Sequence, residues 1–275
     1  MKKFLILFLF FYFSLSISAK EVPLKIHFLD VGEGDSILVE APTGETLLID
    51  TGNFISGFKV SQYLKEKNIQ RLEHLIFTHP HLDHIGGAFL MVQEFSVKDI
   101  YDNGENLPKQ DIYRWYEQLV RQRAGYRVLS GGDELSVGEF ELEILWPARP
   151  FVFSDFNVNS LVIMIKYNDF RCLLMADATD QIEKTLLKTG RDFKAEVLKV
   201  GHHGAGDASG IEFLQAVSPK IAVISVDRDN IRGYPSAETL ERLKKSGSKI
   251  LRTDQSGTIL LTVDRKGKLT LKEER

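Results

Sequence analysis

The feature that most constrains this chain is a cluster of metal-binding residue types in the segment THPHLDHIGG, residues 78–87. Three of the seven histidines and one aspartate fall within six residues there, in the pattern H-x-H-x-D-H. Average composition produces this pattern in a chain of this length on the order of once in ten thousand sequences. Imidazole and carboxylate groups together suit zinc, manganese or iron. The segment therefore predicts a metal site rather than a polar loop with chance histidines.

The apolar run EHLIFT precedes this cluster and predicts a buried strand that delivers it to one edge of a sheet. His79 and His81, two positions apart in an extended loop, can point the same way and share one cation. Asp83 and His84 turn toward a neighbouring position as a helix begins. The glycine pair that ends the segment allows the loop and this helix to pack closely beneath the site.

Further candidate ligands follow other apolar strands. Asp177 ends the strand in LLMADAT, and His202 and His203 follow the strand in LKVGHHG. A lone polar residue at a strand end leaves the sheet at its rim, so these side chains are expected beside the H-x-H-x-D-H cluster. Asp50 ends the strand in LLIDTG, and we expect it to hold backbone N–H groups and support the ligands rather than bind metal itself.

The order of elements predicts an α/β (α+β) fold with two packed sheets flanked by helices. From residue 24 onward, short apolar strands alternate with amphipathic segments, and paired strands occur in both halves of the chain. HIGGAFLMVQEF is expected to form one helix, and DIYRWYEQLVRQRAG another that ends at Gly125. The sequence shows no linker and no repeat, so residues 19–275 are predicted to form a single domain.

The first eighteen residues are typical of a secretory signal peptide. Lys2 and Lys3 precede the unbroken apolar run 4–13, and small residues follow it at 14–18. An uncleaved membrane anchor is the competing reading, but the run is shorter than the roughly 20 residues that span a bilayer. The chain is therefore expected to be exported, to a periplasm or outside the cell, with no stable membrane insertion after cleavage.

Composition limits the partners and the redox chemistry. The formal net charge is −3 and the pI is near 6.2, so nucleic-acid binding would need a local basic groove. Arg228, Arg232 and Lys199 are candidates for such a groove near the expected rim. The single cysteine, Cys172, lies in an apolar strand pattern, which excludes an internal disulfide framework. Trp115 could stack on nucleic-acid bases, although packing of its helix against a sheet is the favoured reading. The sequence does not determine an oligomeric state.

Several segments, taken in order, resemble the metallo-β-lactamase fold and, within it, the hydrolase domain of the ComEC DNA-uptake channels. They are LDVGEGDSILVE, LIDTG, THPHLDHIGG, NSLVIMI, LLMADAT, EVLKVGHHG and LRTDQSGTI, and they extend over about residues 24–263. The chain resembles a free-standing, exported form of that soluble domain. The resemblance implies a four-layer αββα sandwich with two divalent metal ions, zinc or manganese, at one sheet edge.

The resemblance also implies a division of the ligands between the two metals. His79 and His81 would bind the first metal, and Asp177 would bridge both. Asp83 and His84 would bind the second metal with one histidine of the HHG pair. For that place we favour His202 as the ligand.

The resemblance further implies catalytic roles for two residues. Asp83 would orient the attacking water as well as bind metal. His203, expected to be the free imidazole near the substrate, would give a proton to the leaving group.

Two positions depart from the superfamily's common pattern. Many members have a third histidine on the first metal where this chain reads NVNSL; Asn159 is the nearest candidate and a weaker ligand, which argues against a β-lactamase and suggests a harder metal such as manganese. The ComEC group tends to have asparagine here. Tyr234 replaces the group's usual histidine; its phenol can hydrogen-bond a phosphate oxygen but cannot act as an acid near neutral pH.

The turn VGEGDS has two readings that the sequence leaves open. The backbone amides of Gly32, Gly34 and Ser36 form an anion-holding turn, or the turn is simply a tight strand connection.

Three functions fit these residues. The leading one is an exported dinuclear metal hydrolase that cleaves phosphodiesters, with DNA as the expected partner. The same site could instead cleave another phosphoester, such as a phosphocholine ester or a small phosphodiester. The third is a non-catalytic nucleic-acid or envelope-binding module that keeps the fold; the intact H-x-H-x-D-H pattern argues against it.

Overall fold

A computed structural model describes residues 22–151, 153 and 155–275 of the chain. The expected signal peptide at residues 1–18 lies outside these described residues and stays a prediction. Within the described ranges, no helix is both long and apolar enough to cross a membrane.

Fifteen strands are present in the described residues. In chain order they are β1 (Leu24–Phe28), β2 (Ile37–Glu40), β3 (Thr46–Ile49), β4 (Arg71–Ile76), β5 (Ser96–Asp102), β6 (Tyr126–Val128), β7 (Glu134–Val137), β8 (Phe140–Trp146), β9 (Val162–Tyr167), β10 (Phe170–Leu174), β11 (Val197–Lys199), β12 (Ile221–Ile224), β13 (Lys249–Arg252), β14 (Thr258–Val263) and β15 (Leu269–Glu274). They form an eight-stranded sheet in the order β15-β14-β1-β2-β3-β4-β5-β6 and a seven-stranded sheet in the order β13-β12-β11-β10-β9-β8-β7.

Helical segments connect these strands. They are α1 (Ser56–Glu66), α2 (Leu82–Ile85), α3 (Ala88–Glu94), α4 (Asp111–Tyr116), a π-helical turn (Glu117–Arg121), α5 (Asp180–Leu187), a 3-10 turn (Gly201–Gly204), α6 (Ile211–Val217), α7 (Ala237–Lys245) and α8 (Thr253–Ser256).

The two sheets pack face to face around the main core. Ile26 and Leu261 from the first sheet meet Leu142, Ile163 and Val223 from the second in one buried apolar cluster. A second apolar cluster lies under α1, α3 and α4 on the first sheet, and a third under α5, α6 and α7 on the second. Each sheet therefore buries both faces, as a four-layer architecture requires. The predicted αββα sandwich of two mixed sheets is confirmed.

The direction of the strands determines where polar loops meet. In the first sheet β3, β4, β5 and β6 run parallel, and in the second β10, β11, β12 and β13 do. Parallel neighbours end at the same edge of their sheet. The residues that follow β3, β4, β10 and β11 therefore emerge along one rim of the sandwich.

Two helices predicted from the sequence differ in the structure. The expected helix HIGGAFLMVQEF is divided, because α2 ends at Ile85 and α3 begins at Ala88, with the glycine pair between them. The expected helix that ends at Gly125 is α-helical only to Tyr116 and then continues as the π-helical turn. Strand β5 was not predicted, since its first half is exposed or half-buried and carries no apolar alternation.

Gly86 and Gly87 lie where the backbone is most crowded. A Cβ atom on Gly86 would lie 2.5 Å from the backbone nitrogen of Phe54, and one on Gly87 would lie 2.6 Å from the carbonyl oxygen of Thr51 and 2.8 Å from Cα of Gly57. Their φ angles, −61° and −80°, are ordinary, so close approach rather than conformation requires glycine. The expected close packing beneath the site is confirmed.

We expect Gly87→Ala to lower the free energy of unfolding by about 3 kcal/mol, since backbone on both sides of the new methyl group must move. Gly206→Ala is the matched control, because its Cβ would lie 3.7 Å from the nearest atom, Oγ of Ser236. Urea unfolding followed by circular dichroism measures both. Equal midpoints for the two variants would contradict the packing argument.

Candidate metal centre

The sequence-predicted ligands meet at the rim where the parallel strands end. The loop after β4 carries His79, and the loop after β3 carries Asp50, both from the first sheet. Asp177 follows β10 and His203 follows β11 in the second sheet. The centre is therefore built from both sheets at once.

The first group of ligand atoms comprises His79, His81 and Asp177, whose atoms lie within 4.8 Å of one another. Nε2 of His79 lies 3.0 Å from Nδ1 of His81 and 3.7 Å from Oδ2 of Asp177. His79 and Asp177 are buried, whereas His81 is half-buried. One side of this group therefore remains open to a ligand from outside.

The second group comprises Asp83, His84 and His203, again with its ligand atoms within 4.8 Å. Nε2 of His203 lies 3.8 Å from Oδ2 of Asp83 and 3.3 Å from Oδ1 of Asp177. Nε2 of His84 lies 3.4 Å from Oδ2 of Asp177. The Asp177 carboxylate thus lies between the two groups, as expected of a shared ligand.

The structure reverses the places expected for the two histidines of the GHHG turn. Both adopt left-handed φ angles, 47° for His202 and 52° for His203, which send the rings in different directions. His203 turns inward, and its Nδ1 donates to the carbonyl oxygen of Ser225 at 3.0 Å. His202 faces the cleft, with Nδ1 3.2 Å from Oδ1 of Asp207 and Nε2 3.3 Å from Nδ2 of Asn157.

Asp50 fixes the orientation of its neighbours. Its Oδ1 accepts the backbone N–H of Thr78 at 2.8 Å. Its Oδ2 accepts the Thr78 hydroxyl at 2.7 Å and lies 2.8 Å from Nδ1 of His84. Because Nδ1 of His84 is held this way, Nε2 is directed toward Asp177. Asp50 thus lies where the sequence placed a supporting residue.

A buried ion pair that sequence reasoning missed lies behind His203. Nζ of Lys199 is 2.8 Å from Oδ2 of Asp35, and both side chains are almost fully buried. Oδ1 of Asp35 lies 3.6 Å from Nδ1 of His203. Lys199 was expected at the rim, but β11 is a central strand of its sheet and buries the lysine. A lysine inside the apolar strand pattern EVLKV signals a buried partner, though not which one.

The turn VGEGDS is a tight strand connection, and an anion-holding role for its backbone amides stays a prediction. Ser36 is fully buried and donates its hydroxyl to the backbone oxygen of Asp50 at 3.1 Å. Gly34 has φ of +100°, and a Cβ there would lie 1.8 Å from the carbonyl oxygen of Asp83. Ser36 is therefore not available to a substrate, and the close approach at Gly34 supports the loop that carries Asp83. Gly32 has φ of +79° in the same turn.

The two asparagines of NVNSL differ in position. Asn159 is fully buried and donates from Nδ2 to Oε1 of Glu105 at 2.8 Å and to the carbonyl oxygen of Phe153 at 2.9 Å. Asn157, not Asn159, lines the open cleft. A weak ligand role for Asn159 stays a prediction; its Oδ1 has no hydrogen-bond partner among the described residues.

An open cleft of about 500 Å³ leads to these groups. Tyr234 lines it as expected, with its ring 5.6 Å from that of His202. Arg232 also lines the cleft and lies 3.4 Å from Glu33. The other lining residues are His81, Leu82, Asp83, Tyr113, Asn157, Asp177 and His202.

Burial and neighbouring charges shift the pKa values of the histidines and of Asp177 in different directions. Burial lowers the pKa of His79 and of His81, so both imidazoles are neutral at neutral pH and can offer a lone pair. Burial also lowers the pKa of His84, but the adjacent carboxylates outweigh it and raise that pKa well above its usual value. Burial raises the pKa of Asp177, yet His203 and His84 hold it well below its usual range.

Several buried polar atoms of the centre have no hydrogen-bond partner among the described residues. They include Oδ1 of Asp35, Nε2 of His84, Oδ1 of Asp177 and Nε2 of His203. An unsatisfied buried polar atom typically costs about 1–3 kcal/mol, so a folded protein rarely accumulates several at one point. Nitrogen and carboxylate donors that converge without partners fit a divalent cation.

The αββα sandwich with a histidine and aspartate centre at its rim is the arrangement of one protein class. Residues 29–227 match the family model of the metallo-beta-lactamase superfamily, and the chain belongs to that superfamily.

Similar curated proteins narrow the group. The chain is 32% identical over 253 residues to ComE operon protein 3 of Bacillus subtilis (strain 168). The match covers 84% of this chain and 32% of that protein. It is 30% identical over 227 residues to Competence protein ComA of Neisseria gonorrhoeae. That match covers 82% of this chain and 30% of the relative. These matches confirm the ComEC-like resemblance. The chain spans about a third of the length of these relatives.

Solved structures share the fold at low sequence identity. The metallo-beta-lactamase fold protein YhfI from Bacillus subtilis aligns with a TM-score of 0.56 at 11% identity and covers 90% of this chain and 99% of its own. Zn(2+)-bound PqqB from Methylobacterium extorquens aligns with a TM-score of 0.54 at 10% identity, covering 82% and 97%. CmlA, a diiron β-hydroxylase from Streptomyces venezuelae, aligns with a TM-score of 0.57 at 13% identity, covering 87% and 54%. The fold therefore accommodates different metal ions.

We expect Asp50→Asn to weaken metal binding by about 10- to 100-fold, because His84 loses the carboxylate that orients it. Asp207→Asn is the matched control, since Asp207 contacts a histidine outside the two groups. Competition with a chromophoric zinc chelator measures both affinities. If both variants bind zinc as the wild type does, Asp50 has no orienting role.

We expect Lys199→Met to lower the free energy of unfolding by about 3–5 kcal/mol, because it leaves the Asp35 carboxylate buried and unpaired. The double variant Lys199→Met/Asp35→Asn removes that charge and should regain most of the loss. Denaturant unfolding of the two single variants, the double variant and the wild type measures the coupling. Additive effects would show that the two side chains do not form a pair in solution.

Proposed function

We propose that this chain is an exported hydrolase that uses two divalent metal ions, zinc or manganese, to cleave phosphodiester bonds in nucleic acid. The observation that carries the proposal is the position of Asp177, whose carboxylate lies between two convergent groups of ligand atoms at an open cleft. Export rests on the sequence of residues 1–18 alone.

We assign the proposed ligands to the two metal ions according to the two groups of ligand atoms that lie close together. Asp177 is shared, and His203 replaces His202 in the second set. One ion would be held by His79, His81 and Asp177, and the other by Asp83, His84, His203 and Asp177.

Bound divalent ions supply Lewis-acid chemistry, which means that they acidify water and neutralise charge on phosphate oxygens. The residues of the chain orient the reacting groups. Asp83 is half-buried and lines the cleft, so its carboxylate can accept a hydrogen bond from the attacking water. Asp177 is buried behind it, and its low pKa keeps it ionised at neutral pH.

His202 takes over the acid role expected of His203. His203 is buried and bonded to the backbone of Ser225, whereas His202 lines the cleft. The hydrogen bond from His202 lowers the pKa of Asp207, so this carboxylate remains an anion and orients the imidazole ring through Nδ1. Nε2 of His202 is the proposed proton donor to the leaving oxygen, which requires the Asn157 amide, now 3.3 Å away through Nδ2, to turn its oxygen toward the ring.

Tyr234 and Arg232 are the proposed contacts to the phosphate oxygens. Burial raises the pKa of Tyr234, so the phenol keeps its proton and donates a hydrogen bond. Arg232 is about half exposed at the cleft, and its guanidinium can bind a phosphate with two parallel hydrogen bonds.

Nucleic acid is the proposed substrate because of the names of the relatives and the shape of the cleft. Two of the relatives are named Competence protein ComA and Recombination protein 2, the latter from Haemophilus influenzae and 28% identical over 235 residues. An open cleft admits a polymer that continues on both sides of the bond to be cleaved. Both observations favour a polynucleotide over a small enclosed ester.

The test compares the chain from Ala19, loaded separately with manganese and zinc, with an Asp177→Ala variant. End-labelled single- and double-stranded DNA are the substrates, and metal content is measured by elemental analysis. We expect metal-dependent cleavage that falls at least about 1,000-fold in the variant, because both groups lose their shared carboxylate. Asp180→Ala, a half-exposed aspartate on α5, is the matched control and should cleave as the wild type does.

Other results would redirect the assignment. No cleavage of DNA with both metals bound, together with hydrolysis of small phosphoesters, would contradict the nuclease assignment and leave a phosphoesterase. Failure to bind either metal would contradict the hydrolase assignment itself.

A further inference from the structure

A second cavity lies beside the metal cleft and shares the side chain of Tyr113 with it. This cavity, here called the α4 cavity, measures about 390 Å³ and is lined by Leu107, Pro108, Lys109, Tyr113, Arg114, Glu117, Gln118 and Gln122. Its volume is at the small end of cavities that hold ligands, roughly 300–1,000 Å³. The chemistry proposed above uses none of these residues, so the cavity has room for a part of the substrate outside the cleaved bond.

The walls of the α4 cavity combine two kinds of surface. Leu107, Pro108 and Tyr113 form an apolar side against which a flat ring can pack. Gln118 and Gln122 bring side-chain amides, which both donate and accept hydrogen bonds. A nucleobase has an apolar face and an edge of donors and acceptors, so the two surfaces complement it.

Two positively charged side chains also line the α4 cavity. Lys109 and Arg114 are both exposed, and Arg114 lies 3.3 Å from Asp111 in a pair whose side chains are 69% and 93% exposed. Such exposed pairs contribute little and exchange readily, which leaves the guanidinium free to bind a phosphate. The acidic residue of the lining, Glu117, is paired with Arg121 at 3.6 Å. With two cations and one carboxylate, the lining carries a net charge of +1.

The helix that carries these groups is firmly held. Arg114, Gln118 and Gln122 recur every four residues and so share one side of this segment. The π-helical turn at its end is of a kind often found at functional sites, and Arg121 anchors it through a 2.8 Å contact with Asp102. The hydroxyl of Tyr116 donates to the same carboxylate at 3.1 Å. The cavity is thus preorganised.

We propose that the α4 cavity binds the nucleotide next to the scissile phosphate of a single-stranded nucleic acid. The base packs against Tyr113 and Pro108, and the adjoining phosphate faces Lys109 and Arg114. Only an unpaired base can leave its neighbours and present both face and edge to such a cavity. This inference rests on the proposed function, because it assigns a further part of the same substrate.

The test uses the Arg114→Ala/Gln118→Ala variant and a matched control on the other sheet, Gln181→Ala/Lys184→Ala, which removes exposed residues of α5. Binding of a fluorescein-labelled, phosphorothioate-linked dT8 to the manganese-loaded chain from Ala19 is measured by fluorescence anisotropy. Hydrolysis of methyl p-nitrophenyl phosphate, which has no second nucleotide, is measured beside it. We expect about tenfold weaker binding of dT8 by the α4 variant alone, and hydrolysis of the small ester within twofold of wild type.

Several results would overturn the inference. Equal dissociation constants for the α4 variant and the control would exclude the cavity as a binding site. Loss of small-ester hydrolysis in the α4 variant would also exclude the cavity as a binding site. The substitutions would then have disturbed the metal centre itself. If the wild type binds no dT8 the inference falls, while its small-ester activity reports separately on the hydrolase. If the wild type hydrolyses nothing but the α4 variant alone binds dT8 more weakly, the cavity stands and the proposed function fails.

Discussion

The negative charge of Asp177 is the interaction on which the centre depends. Three buried imidazoles, those of His79, His84 and His203, lie within 3.7 Å of its carboxylate. Without that charge, the Nε2 atoms of the three buried rings would lie close together with no carboxylate between them to offset their lost hydration. The surrounding features serve this arrangement: Asp50 directs His84, the Ser225 backbone directs His203, and the glycine pair lets the loop approach.

The predictable part of the fold and the site came from local signals. Apolar strands that end in a single polar residue indicated Asp50 and Asp177 because parallel strands bring their carboxyl ends to one edge. The H-x-H-x-D-H spacing indicated two ligands of each metal group, because these four residues follow one another in a single loop. The matches to the superfamily and to ComEC-like proteins confirm the family resemblance. The roles of the individual ligands stay predictions.

The remaining features depend on contacts that the sequence does not encode locally. Two left-handed residues in succession decide which of His202 and His203 faces inward, and neither is a glycine. Lys199 and Asp35 are far apart in the chain and meet only when the two sheets pack. Strand β5 is a strand because it pairs with β4 and β6 and not because of its own alternation. In each case tertiary packing overrides local preference.

The division of the ligands between the two sheets has a consequence for the stability of the folded protein. The four residues of the H-x-H-x-D-H loop belong to the first sheet, whereas Asp177 and His203 belong to the second. An ion held by both sets would link the first sheet to the second, and so the early part of the chain to the late part. Ligands that bind only the folded state stabilise it by mass action. The supply of metal in the compartment would then govern how long the molecule resists unfolding and proteolysis, as well as how fast it works.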